Sequence, residues 1–275
     1  MFNEHDCFTT PPDDSRIWRY IDLAKFLSLL DKSSLWFTIP SELEDPWEGN
    51  YPRIHSDPKR LKDAYDQVPE YRDRKDKEAW IEFLMRIDVD RTRRQDTFRD
   101  TSAINCWHAN KFESDAFWKL YASLGVGVAI SSTIGALKRS LSGFPEPLYI
   151  GWVNYLDHEV EAIRDDNRYW PFLWKRLSFS HENEVRAIVD MGPDVRQKVT
   201  GLEYPDIYDK PSPGPIPPGR AVPVDLDALI DVIYVSPLAP PWLVDVVKSV
   251  TSKYALNKEV RRSDLLDHPF GTAKK

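Results

Sequence analysis

Arg19, Glu182 and Glu184 are the side chains best placed by type and spacing to do chemistry. Arg19 stands between Trp18 and Tyr20 on a β-prone run. A guanidinium in that company is costly to bury unless it meets a carboxylate or a phosphate. It is therefore either half of a structural ion pair or an anion-gripping group. Glu182 and Glu184 are separated by one residue, so on a strand both would face one side. Two such carboxylates raise each other's pKa unless a cation intervenes. Lys175, Arg176 and Arg186 are near enough in sequence to neutralise them, which leaves both an acid–base pair and a salt-bridge network open. Asp45, Glu48, His108, Glu113 and His181 are competent ligands for Mg²⁺, Mn²⁺ or Zn²⁺. With Lys175 or Arg176 beside a phosphate they would suit a metal-dependent nuclease. They show no diagnostic spacing such as His-Glu-x-x-His, and no bound metal is expected. Gly125-Val126-Gly127 is not a phosphate loop, because no lysine follows at the required spacing.

The elements that must carry these residues can be read from pattern. Ile17–Tyr20 reads as a short strand, and Asp22 as the cap of a helix on which Leu23, Phe26, Leu27 and Leu30 share a face. Leu35–Ile39 is β-prone and stopped by Pro40. Residues 59–100 hold 12 basic and 11 acidic side chains, interleaved as on a solvated helical arm rather than a nucleic-acid surface. Trp80, Leu84 and Ile87 give that arm a narrow apolar stripe. A helix begins near Glu113 with Phe117, Leu120, Tyr121 and Leu124 on one face, ends at Gly125, and leads into a buried strand at 126–131. Core packing is the simplest role for Trp118 on that helix. Strands are also expected at 149–156, 185–189 and 232–235, with Trp174-Lys175-Arg176 as a basic turn. Asp225 caps a short helix, and Pro240 and Pro241 open a last helix with Leu243, Val246, Val247, Val250 and Tyr254 on its apolar face.

The chain has 275 residues, ten of them Trp, and a net charge of −7. That composition is folded, and it argues against a broad nucleic-acid surface. No apolar stretch is long enough for a membrane span, and the acidic start is unlike a signal peptide. With Cys7 and Cys106 the only cysteines, a cytoplasmic protein without a disulfide framework is expected, with no membrane partner. Six of the 22 prolines fall in 211–223, which reads as an extended surface loop. Strands and helices mix without strict alternation, so the fold class expected is α+β: a single domain over 16–266 with a mixed or antiparallel core sheet. A charged helical insertion is placed at 57–101, with 1–15 and 267–275 as flexible termini.

Several blocks, in order, resemble a mostly bacterial family, domain of unknown function 2971: WRY, LWFTIPSELEDPWEG, CWHANKFESDAFWKLYASLGVGVAISST, KRLSFSHENEVRAI and LIDVIYVSPLAPPW. The resemblance spans Trp18 to Leu265 and implies a role in phage defence or as a toxin, without naming an activity.

The sequence of an arginine strand, a helix, a hydroxyl-bearing strand and a later Glu-x-Glu strand is also similar to the layout of ADP-ribosyltransferases. That likeness implies NAD as substrate. Arg19 would grip the dinucleotide phosphates with Tyr20 beside it, and Thr38 would order the site. Trp36, Phe37 or Trp47 would stack on nicotinamide. Glu184 would stabilise the oxocarbenium ion and Glu182 would activate the incoming nucleophile. The second strand reads Phe-Thr-Ile-Pro-Ser and lacks the Ser-Thr-Ser of that class. The acceptor, whether protein, nucleic acid or small molecule, is not specified, nor is any partner protein from a defence operon. The competing expectation is a non-enzymatic sensor or binding module working through its Trp-rich surface.

Overall fold

The structure is a computed structural model that describes residues 2–56, 75–121, 126–164, 167–192 and 215–269, together with 59, 63 and 195. Within 80–94, the side chains described are those of 82, 83 and 86 alone.

The chain opens with strand β1 (Arg16–Asp22), helix α1 (Leu23–Lys32) and strand β2 (Ser34–Thr38). The periodic residues Phe26 and Leu30 bury α1, and the Asp22 carboxylate caps it by accepting from the Lys25 amide. Helix α2 (Lys77–Thr101) then runs directly into strand β3 (Ser102–Ala109). Helix α3 (Asp115–Tyr121), strand β4 (Gly127–Thr133), helix α4 (Ile134–Ser140) and strand β5 (Leu148–Trp152) follow. The strand expected at 149–156 breaks at Val153 into β5 and a separate strand β6 (Asn154–Leu156). Trp174–Arg176, expected as a turn, is the short strand β7, parallel to β6. Strand β8 (Glu184–Asp190), strand β9 (Gly219–Pro223), helix α5 (Leu226–Leu229), strand β10 (Val232–Val235), helix α6 (Pro241–Lys253) and strand β11 (Glu259–Arg262) complete the described elements.

Among the described residues, nine strands form one sheet, ordered β11-β10-β4-β1-β3-β2-β9, with β8 joining β3 to β5. It is mixed: β10 and β11 run parallel, and the other pairs are antiparallel. The main core fills one face. There Ile17, Phe37, Trp107, Ile130, Ala187 and Val189 meet Phe26 of α1, Leu137 of α4, Leu229 of α5 and Leu243 of α6. The opposite face carries two smaller clusters, one around Phe8, Ile104, Phe172 and Ile188, the other around Trp18, Tyr20, Phe117, Trp118 and Tyr234.

β3 is the branch point of the sheet. One of its edges pairs with β8 along 102–108. The other edge is shared: β1 holds it at His108 and Ala109, and β2 holds it at Ile104. Between those contacts the two wings diverge. Side chains fill the fork, with Asn105 Nδ2 donating to the Trp36 carbonyl at 2.8 Å and an Arg19 guanidinium nitrogen donating to the Cys106 carbonyl at 2.6 Å.

Two expectations about loops and ends are corrected. The N-terminal 2–15 is a packed arm rather than a flexible end: Cys7 and Phe8 are buried, the Asn3 amide donates to the Leu148 carbonyl, and the His5 ring meets Phe8, Tyr149 and Tyr169. The end of the proline-rich stretch is edge strand β9, paired with all of β2. Its prolines are confined to the flanks, where no ladder donor is needed. Pro211–Gly214, most of 57–74 and residues 270–275 lie outside the described residues, as do the side chains of Trp80, Leu84 and Ile87.

Candidate active site

The face of the sheet opposite the main core presents Cys106 of β3 with Glu184 and Arg186 of β8. The loop after β2 brings acids to them. In Asp45-Pro46-Trp47-Glu48, the Asp45 carboxylate accepts from the Trp47 amide and the Asp45 carbonyl from the Glu48 amide, a tight turn. Gly49 follows at φ +71°, and a Cβ there would stand 2.7 Å from the Phe172 ring. Helix α2 bolts the loop down: Gln95 donates to the Gly49 carbonyl and Arg99 to the Glu48 carbonyl.

Glu48 thereby enters a buried ion cluster with Lys175, Glu182, Glu184 and Arg186. Arg186 is fully buried. It donates to the Glu184 carboxylate at 2.7 Å, to Glu48 at 2.9 Å and to the Phe172 carbonyl at 2.8 Å. Lys175 Nζ lies 2.5 Å from Glu182, 3.0 Å from Glu48 and 3.2 Å from Glu184. Three carboxylates against two cations leave the cluster one negative charge in excess.

The two acids of the Glu-x-Glu stretch come together by another route than strand alternation. β8 begins at Glu184, while Glu182 ends a 3-10 turn over Leu177–Glu182. Asn183 between them takes the left-handed conformation at φ 40°, which asparagine tolerates better than most residues. Lys175, not a common strand face, gathers both carboxyls. Their environments push them apart. Burial outweighs the attraction of Lys175 and raises the Glu182 pKa. For Glu184 burial also acts upward, but Arg186 and Lys175 together with a hydrogen bond from the Cys106 thiol draw it down to about 2. One carboxyl is made a stronger proton acceptor than usual and the other a weaker one, a divergence that suits an acid–base pair.

Arg19 stands on the other side of Cys106. Its guanidinium donates to the Cys106 carbonyl and lies 5.8 Å from the centre of the Trp107 ring. Among the described residues it has no carboxylate partner, and burial lowers its pKa with only Cys106 and Tyr121 acting to raise it. Tyr121, the last residue of α3 and 45% exposed, faces the same groups as Glu182 and Glu184. Burial is the first cause that pushes its phenol up to about 12. Arg19 and Glu184 thus converge on Cys106 and Tyr121.

The other expected site residues are dispersed. Thr38 ends β2 opposite Ile104, two residues along β3 from Cys106. Trp36 is 47% exposed on β2, its carbonyl taken by Asn105. Phe37 is fully buried in the main core, so it packs and does not stack on a ligand. Tyr20 is likewise a packing residue: Trp118 and Phe117 enclose its ring and its hydroxyl accepts from the Ser114 amide. Trp47 packs against His158 and Arg53. The candidate metal ligands meet other partners: Asp45 pairs with Arg176, Glu113 accepts from Trp118, and His108 Nδ1 donates to the Glu182 carbonyl at 2.5 Å. No group of three or more His, Cys, Asp or Glu among the described residues is arranged to hold a metal. Sequence reasoning passed over Cys106 and gave Tyr121 only a packing role. It read Glu48 only as a metal ligand. The signal available for Glu48 was its place in an acidic loop closed by glycine.

No family model matches the chain, so the likeness to domain of unknown function 2971 stands on its sequence blocks alone. No curated protein matches either. Two solved structures are similar in part. Thermus sp. 2.9 DarT in complex with NAD+ shares 10% identity over 92% of this chain and 98% of that one, with a TM-score of 0.37. The same protein in complex with carba-NAD+ shares 9% over 92% and 96%, with a TM-score of 0.33. At that level of superposition the site stands on its own geometry. No helix among the described residues is long and apolar enough to cross a membrane.

Proposed function

We propose that the chain is an ADP-ribosyltransferase-like enzyme that consumes NAD. The observation that carries this reading is the meeting, around Cys106 and Tyr121, of a guanidinium without a carboxylate partner among the described residues and two carboxyls whose proton affinities diverge. A partly buried guanidinium of that kind is matched by an anion, and the planar fork of Arg19 suits a pyrophosphate. The bond broken is the one between the ribose C1′ and the nicotinamide nitrogen. Nicotinamide leaves with the bonding electrons, and the ribose becomes an oxocarbenium ion. Glu184, ionised throughout, stabilises that cation together with the excess negative charge of the cluster. Glu182 takes the proton from the acceptor nucleophile as it attacks C1′. Tyr121 covers the nicotinamide end, in the role first given to Trp36, Phe37 or Trp47, and Thr38 borders the site from β2.

One observation favours the alternative of a non-enzymatic binding module. The Glu184 side chain is 4% exposed and already engaged by Arg186, Lys175 and Cys106, as a purely structural clamp would be. Nicotinamide release from NAD, measured for the wild type beside Glu184→Gln with both shown to be folded, separates the two. Release that disappears in the variant supports the enzyme. Absence of release from the wild type, with cell extract supplied as acceptor, rejects it.

A further inference from the structure

A second cleft lies among the first residues of β1, the loop before α3, and strands β10 and β11. Its volume is about 250 Å³, and Arg16, Trp18, Lys111, Phe112, Tyr234 and Arg261 line it. Trp18 and Tyr234 form an aromatic floor with ring centres 5.2 Å apart. Phe112, 68% exposed, forms a lip. The Arg261 guanidinium lies 4.6 Å from the centre of the Tyr234 ring and also donates to its hydroxyl.

The charges of this cleft are unequally matched. Its two carboxylates are engaged: Asp231 accepts from Arg16 at 3.0 Å and Glu113 from the Trp118 indole at 3.0 Å. Arg261 approaches Glu259 at 3.4 Å. Lys111 has no carboxylate partner among the described residues and rests near the Phe112 ring, 5.6 Å from its centre. In a chain of net charge −7, this concavity holds three cations against two acids. A site that combines aromatic walls with an unmatched cation favours a flat ring bearing negative charge.

We propose that this cleft binds a small aromatic anion, one ring system carrying a carboxylate or a phosphate ester. The ring lies against Phe112 and the Trp18–Tyr234 floor, and the anion meets Lys111 with Arg261 beside it. At about 250 Å³ the cleft lies below the ~300–1,000 Å³ usual for drug-sized ligands, so it takes a single ring system and not a dinucleotide. This inference is independent of the NAD reading, since no residue is shared between the two sites.

The test is calorimetric titration of the full-length protein with indole-3-carboxylate, phenyl phosphate and neutral indole. At least one of the two anions is expected to bind, and indole about tenfold more weakly. Lys111→Glu and Phe112→Ala alter exposed side chains and leave the fold intact. Each is expected to weaken the anion about tenfold, whereas Arg19→Lys leaves it unchanged. The proposal is overturned if neither anion binds, if indole binds as well as the anions, or if Lys111→Glu has no effect. Loss of binding in Arg19→Lys would put the ligand in the other site and overturn it equally.

Discussion

Glu48, on the acidic loop after β2, meets Arg186 in the middle of β8 at 2.7 Å, across 138 residues of sequence. Both side chains are buried, at 2% and 0% exposure. Taking two charges out of water costs several kcal/mol per ion, and the cost is offset only while both remain. Glu48→Ala leaves Arg186 with Glu184 as its one carboxylate partner among the described residues and removes one of three carboxylates from Lys175. The expected loss is about 3 kcal/mol or more of unfolding free energy, read as a lower urea midpoint. A midpoint unchanged by Glu48→Ala would mean that water already reaches the cluster.

The same cluster sets how stability responds to acid. The pKa of Glu184 is near 2 in the fold against an ordinary 4.5. A depressed carboxyl contributes stability that is present above the ordinary value and lost as pH falls toward the folded one. The window is therefore about pH 4.5 down to 2, with a contribution on the order of 3 kcal/mol. Glu182 is shifted the other way, so its ionisation above the ordinary range subtracts from stability. Unfolding free energy followed across pH should fall steeply below 4.5 in the wild type, and Glu184→Gln should flatten that limb. An equally steep acid limb in the variant would assign the transition to other carboxyls.

How much of this arrangement the sequence disclosed depends on whether its cause is local. β1, α1 and β2 were legible because Phe26 and Leu30 repeat at helical spacing, Asp22 caps, and Pro40 stops the second strand. β3 was not, although it is the branch of the sheet. Ser102-Ala103-Ile104-Asn105-Cys106-Trp107-His108 is buried on both faces and carries polar residues whose partners come from elsewhere: the Trp36 carbonyl for Asn105 and the Glu182 carbonyl for His108. No alternation marks such a strand. The fork was invisible for a related reason, because β3 lies far along the chain from the β1–α1–β2 unit that diverges from it. Glu182 and Glu184 were recognised, but Asn183 removed the strand geometry expected to align them. Phe37 and Tyr20 were assigned to the ligand from their place in the layout, and their burial follows only from which face of the sheet α1 and α3 cover.

Arg19 has one partner in the fold and a second in the proposed reaction. One guanidinium nitrogen satisfies the Cys106 carbonyl that the fork leaves unpaired, and a buried carbonyl without a donor would cost about 1–3 kcal/mol. Arg19→Lys can keep one N–H on that carbonyl but loses the bidentate fork. The expected outcome is a nearly unchanged melting temperature with NAD affinity lower by about tenfold or more. Arg19→Ala should lower both. An NAD affinity unmoved by Arg19→Lys would confine Arg19 to its structural contact.

Tyr121 is the exposed ring proposed to cover nicotinamide, and two kinds of contribution can be separated there. Its hydroxyl is pushed up to about 12, first by burial and then by Glu182, so at neutral pH it stays protonated and supplies no base. Its ring face can still stack on a flat heterocycle, which is worth about 1–3 kcal/mol by truncation. Tyr121→Phe should therefore retain nicotinamide release and its pH profile, while Tyr121→Ala raises KM for NAD about tenfold. Steady-state kinetics of both variants across pH 6–9 decides the matter. If Tyr121→Phe loses as much activity as Tyr121→Ala, the hydroxyl takes part in the chemistry and the stacking role is wrong.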